Sequence, residues 1–199
     1  MAASIAERTP SIDEDTPEVE SDIKQAPLYK CEWAFMLHSD KDYDATKFNV
    51  PNLIVEGLYH GDAFDAKKPK LLWALDIKAM IGALGESKWN PAHDTGMKIL
   101  HVNIKDNPKD PANALEPHVD AICKFFDENR KLGNKILSFC MMGISRSSSV
   151  NIIILMYLSA WKLNPVDALE YLRSRRSCCK PAPGFMVELE EIRQKRLKK

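Results

Sequence analysis

The chain has no stretch of about 18 consecutive apolar residues, the length needed to cross a bilayer. Its longest apolar run, 152–158, has core-helix length and starts from polar serines, so no transmembrane segment is expected. The opening MAASIAERTP lacks the apolar region that directs secretion. Cysteine is scarce: five residues, an odd number at irregular spacing, give no disulfide framework. A reducing compartment, cytosol or nucleus, is expected. The neighbours Cys178 and Cys179 miss Cys-x-x-Cys spacing, and His38, His60 and His93 form no cluster. Neither a metal nor a cofactor is expected. Charge of one sign is also missing, with 28 basic residues against 28 acidic ones, and no nucleic acid is expected as a partner. No internal repeat is present. Nothing in the sequence sets an oligomeric state.

What charge there is lies unevenly. Residues 1–30 carry seven acids against three bases, and residues 171–199 nine bases against three acids. The basic end suits an acidic partner or membrane phosphates, or simply a solvated helix. Residues 1–27 are rich in Ser, Thr, Pro, Glu and Asp and nearly free of aromatics, the composition of a disordered acidic tail. The Thr-Pro pairs at Thr9 and Thr16 are candidate phosphorylation sites on an otherwise inert tail. One domain over 28–199 follows, long enough for a sizeable core.

Periodicity then orders the elements. NLIVEGLYHGD (52–62) reads as two short strands, 69–75 as a short helix, and IKAMIGAL (77–84) as a buried strand. MKILHVNI (97–104) alternates as a strand does. Pro117 opens a helix carrying Val119, Ile122, Phe125, Phe126 and Asn129 at helical spacing, ended by Gly133. About 16 residues of helix run about 24 Å. That length returns the chain along the sheet, so the strands at 97–104 and 135–139 run parallel. Asn164 caps and Pro165 starts a helix turning Val166, Leu169 and Leu172 inward; Phe185, Leu189 and Ile192 mark the last one. The sum is an α/β fold: a central, mostly parallel, twisted sheet with helices on both faces.

The segment ILSFCMMGISRSSSVNIIILMYL (136–158) passes from strand to helix through a polar turn. The loop Cys140, Met141, Met142, Gly143, Ile144, Ser145, Arg146 can turn its amides on an anion. The helix start adds partial positive charge. Gly143 permits the sharp turn, and Arg146 offers a fork matching two phosphate oxygens. The same field favours the thiolate of Cys140, whose ordinary pKa of about 8.5 leaves a thiol almost wholly protonated at pH 7. Ser147 can donate to that sulfur. A phosphate held above a nucleophilic cysteine is the chemistry this spacing permits.

These residues resemble the protein tyrosine phosphatase superfamily, whose signature is His-Cys-x5-Arg-Ser/Thr. CMMGISRSS is most similar to its dual-specificity branch, and NLIVEGLYHGDAFDA, ILHVNIKDNP and DALEYLRSRRSCCKPAPGFMVELEEI resemble further segments of it, covering roughly residues 50–195. The resemblance implies the phosphatase fold of an atypical, stand-alone member. It also implies a phosphorylated protein as substrate and hydrolysis through a cysteinyl-phosphate.

A leaving oxygen needs a proton. Asp106, 34 positions before Cys140, matches the family's general acid, with Asp110 as runner-up. It follows a strand whose end is expected beside the cysteine strand, at the sheet edge where ligands bind. His101 and His118 are weaker candidates, the first expected partly buried. One position departs from the pattern: Phe139 stands where the family has histidine, which helps order the loop and favour the thiolate. A weakened enzyme with a raised pH optimum, or a pseudophosphatase that binds without turnover, follows from that change. Apolar Met141, Met142 and Ile144 argue against highly charged substrates such as phosphoinositides or RNA 5′-triphosphates. Arg173, Arg175, Arg176 and Lys180 are candidates to assist an acidic one.

Overall fold

The computed structural model describes residues 50–85, 97–105 and 114–198. The acidic tail, Asp106 and Asp110 lie outside the described residues. The apolar stretch at 52–62 forms β1 (Asn52–Val55) and β2 (Leu58–Asp62), paired antiparallel. Helix α1 (Pro69–Ala74) has proline in its first turn, where the missing N–H has no partner to lose. Strands β3 (Ile77–Ala83) and β4 (Lys98–Val102) follow, then α2 (Val119–Lys131) and β5 (Lys135–Cys140). The chain closes with α3 (Arg146–Leu158), α4 (Pro165–Arg175) and α5 (Pro183–Leu197). Asn164 caps α4 as its sequence position requires, its side chain accepting from the amides of Val166 and Asp167.

The sheet runs β1-β2-β5-β3-β4, and every pairing except β1 with β2 is parallel. The strands flanking α2 are parallel as expected, but they are not neighbours. β3 lies between them and pairs with both. The end of β4 is therefore two strand spacings, about 10 Å, from the end of β5 rather than one.

Side chains alternate along each strand, so the sheet has two apolar faces. On one face Leu58, Ala79, Ile81, Val102, Ile136 and Cys140 meet the buried sides of α2 to α5. On the other, Ile77, Met80, Leu137 and Phe139 meet Leu72 of α1.

Helix α3 is buried on every side from Arg146 to Met156, because the sheet lies beneath it and α2, α4 and α5 surround it. Three local readings change. Val166 is 59% exposed, and Ala168 takes the inward place beside Leu169 and Leu172. Pro117 lies in a 3-10 turn, Glu116–His118, which leads into α2. His101 is exposed on edge strand β4, not partly buried. Among the described residues no helix is long and apolar enough to cross a membrane.

Candidate active site

Strand β5 ends on Cys140 at the centre of the sheet, and α3 begins six residues later on Arg146. The loop between turns back on itself at Gly143, where φ is +62°. A Cβ there would meet the Gly61 carbonyl oxygen at 2.5 Å and Arg176 Nη2 at 2.7 Å. No other residue type fits, both for the left-handed backbone and for the space. Cys140 is 2% exposed and Arg146 7%. Met141 and Met142 crown the loop, 45% and 60% exposed, and Phe64, 63% exposed, stands at the neighbouring end of β2. The two edges are tied by Ala63 N–H donating to the Met141 carbonyl at 3.3 Å.

The loop is braced from behind by the segment joining α4 to α5. Arg176 Nε donates to the Gly143 carbonyl at 3.1 Å, and its Nη1 to Asn52 Oδ1 at 2.9 Å. Lys180 N–H donates to the Ile144 carbonyl at 2.8 Å, and Ala182 N–H to Ser145 Oγ at 3.1 Å. Ser148 Oγ donates to the Ile144 carbonyl at 2.6 Å. These bonds engage the carbonyls of Gly143 and Ile144 and the Ser145 hydroxyl, and so restrain the loop. Arg176, a candidate for assisting an acidic substrate, is only 3% exposed and holds loop and β1 together. Arg173, exposed, donates from Nε to the Cys179 carbonyl at 2.9 Å.

Ser147 lies in the first turn of α3 with its hydroxyl donating to Cys140 Sγ at 3.2 Å. A second contact reaches the same hydroxyl: His60 Nε2 lies 2.8 Å from Ser147 Oγ. His60 is fully buried on β2, and its Nδ1 faces Cys179 Sγ at 3.5 Å. Burial, and then the Arg176 charge, push its pKa well below the ordinary 6.5, so the imidazole is neutral. Sequence reasoning passed over His60 for want of a cluster. The signal available was strand period: in the parallel β2–β5 register His60 pairs with Ser138, which puts it on the face that carries Cys140.

That period also places Phe139. It precedes Cys140 in the strand, so its ring points to the other face, among Leu72, Met80 and Leu137, and is fully buried. Opposite it in the register is Gly82. At the mouth of the site Asp62, partner of Cys140 in the sheet register, accepts from the amides of Phe64 and Asp65 at 2.8 Å each. Asp65 is buried beside it, its carboxyl pushed up to about 6 by burial and then by the Asp62 charge.

A family model described as "Dual specificity phosphatase, catalytic domain" matches residues 58–195. The Arabidopsis thaliana dual specificity protein phosphatase 1 is 29% identical over 144 residues, 72% of this chain and 69% of that protein. Human dual specificity protein phosphatase 22 is 30% identical over 144 residues, covering 72% of this chain and 74% of its own length. For further relatives the matched share falls to 28% and 56% of their length. Among solved structures, the human tyrosine phosphatase-like serine/threonine/tyrosine-interacting protein is 27% identical with a TM-score of 0.66, over 74% of this chain and 97% of that one.

Proposed function

This chain belongs to the dual specificity phosphatases, and on that premise we propose that it hydrolyses phosphotyrosine, and phosphoserine or phosphothreonine, in proteins through a cysteinyl-phosphate. Cys140 is the nucleophile. Its thiolate attacks phosphorus, the P–O bond to the substrate breaks, and Asp106 gives its proton to the leaving oxygen. Arg146 and the amides of residues 141–146 hold the three phosphoryl oxygens and the charge they gain. Water then gives a proton to the Asp106 carboxylate and attacks phosphorus, the P–S bond breaks, and inorganic phosphate leaves. Ser147 donates to the sulfur as it departs.

The observation that carries this reading is the 3.2 Å bond from Ser147 to Cys140, made at the base of a loop braced by Arg176, Lys180 and Ala182. Exposed Phe64, Met141 and Met142 around the mouth favour a flat apolar ester such as phosphotyrosine over a polyphosphate. Cys123, Cys140, Cys178 and Cys179 are free thiols, in keeping with action in cytosol or nucleus. Turnover of p-nitrophenyl phosphate across pH 5–8, measured beside Cys140→Ser, is the test. Loss of turnover in the variant is expected; equal rates for the two proteins would end the proposal.

A second reading is a pseudophosphatase that binds phosphoproteins without turnover. Phe139 in place of the family histidine favours it, and one structural relative is itself named a phosphatase-like interacting protein. On that reading the wild type binds a phosphotyrosine peptide and releases no phosphate.

A further inference from the structure

The departure at Phe139 removes a histidine from one face of the sheet, yet a histidine is present beside the nucleophile on the other. We propose that His60 is a positioning residue for Cys140: its Nε2–H holds the Ser147 oxygen, so that the single hydroxyl proton of Ser147 points at the Cys140 sulfur. The inference rests on the reading of Cys140 as a phosphatase nucleophile.

The argument is a count of protons. Ser147 has one, and it goes to Cys140 Sγ. The contact between His60 Nε2 and Ser147 Oγ, at 2.8 Å, therefore needs its hydrogen from the imidazole. A neutral ring carries only one, so Nδ1 is bare. The group facing Nδ1 is the Cys179 sulfur at 3.5 Å. Cys179 is 1% exposed, and the single S–H of a thiol at that distance supplies the hydrogen a bare nitrogen accepts. The chain Cys179, His60, Ser147, Cys140 thus has one consistent direction. Every member is fully or almost fully buried, so water does not compete for these bonds. The groups that face the ring come from three elements: Ser147 from α3, Cys140 beyond it on β5, and Cys179 and the Arg176 charge from the segment after α4. A serine held at both ends cannot rotate away from the sulfur. A serine without His60 can.

Two measurements on the full chain test this, and neither needs turnover. The first is the tautomer of His60 in the wild type, read from imidazole nitrogen shifts after nitrogen-15 histidine labelling. A hydrogen on Nε2 is expected; a hydrogen on Nδ1 alone overturns the proposal. The second is the pH dependence of iodoacetamide alkylation at Cys140, resolved by peptide mass spectrometry, in wild type, His60→Leu and His60→Gln. The leucine variant should move the alkylation midpoint upward by about one pH unit, a tenfold loss of thiolate below it. The glutamine variant, whose amide N–H replaces the donor, should stay near wild type. A folded leucine variant with the wild-type profile would refute the role. If His60→Leu fails to fold, the tautomer and the glutamine profile decide. Should p-nitrophenyl phosphate go unhydrolysed while both results hold, the phosphatase reading falls and the His60 assignment stands.

Discussion

Phe139 and Gly82 share one space across adjacent strands: a Cβ added at Gly82 would lie 2.9 Å from Phe139 Cζ. The ring fits because its partner has no side chain, as close approach in a strand requires. Gly82→Ala should overpack this cluster and lower stability by about 1–3 kcal/mol, read by urea unfolding. Phe139→Leu in the same chain should return part of the loss, because the two sites are coupled. Additive losses would show that the ring and the glycine do not compete.

Gly143→Ala tests the loop itself. The substitution forces a side chain into left-handed backbone and against the Gly61 carbonyl. Relaxing that contact moves the loop by a good fraction of an ångström. Such a shift costs about 100-fold in kcat/KM toward p-nitrophenyl phosphate. Inhibition by inorganic phosphate should weaken in parallel. A variant as active as wild type would show that the turn is not needed.

Arg176→Met removes the donor to Gly143 and the donor to Asn52 together. A buried carbonyl then loses its charged partner, which costs about 2–4 kcal/mol of stability. The loop loosens, and KM for p-nitrophenyl phosphate should rise about tenfold, equal to 1.4 kcal/mol of binding. Arg176→Lys should not rescue, since one ammonium cannot reach both acceptors. Unchanged KM in a folded methionine variant would return Arg176 to a peripheral role.

Asp65 sets a pH signature. Its carboxyl titrates near the ordinary 3.8 in the unfolded chain and at about 6 in the folded one. Between those values the folded state holds the extra proton, so stability falls as pH rises from about 4 to about 6. The fall is up to about 3 kcal/mol. Asp65→Asn should flatten it, measured by denaturant unfolding at several pH values. His60 acts in the opposite sense, since its lowered pKa removes stability as pH falls below 6.5, but it is common to both proteins and cancels from the difference. A variant with the wild-type slope would mean that Asp65 ionises normally.

The order of elements, the α/β class and the sheet's mainly parallel character were legible because each strand and helix has its own period and stop signals. The position of Gly143 was legible because only one residue type suits such a turn. Two things were hidden. Sheet order depends on which strand the chain passes over, and nothing local in 97–104 shows that β3 separates it from β5. The support of the loop depends on Arg176 and His60, far from Cys140 in sequence. Arg176 looks like one more surface cation in a basic run, and its burial follows only from the packing of α4 against β1.

The central place of β5 has a consequence for how the chain is made. β2 and β3 emerge from synthesis well before β5, yet they are its two neighbours and do not pair with each other. At about 5–20 residues per second, their facing edges wait for several seconds with a gap one strand wide between them. Such edges are templates for pairing with another chain. The strand that fills the gap is the one ending on Cys140, so the last piece to close the sheet is also the one that brings the thiol to its loop.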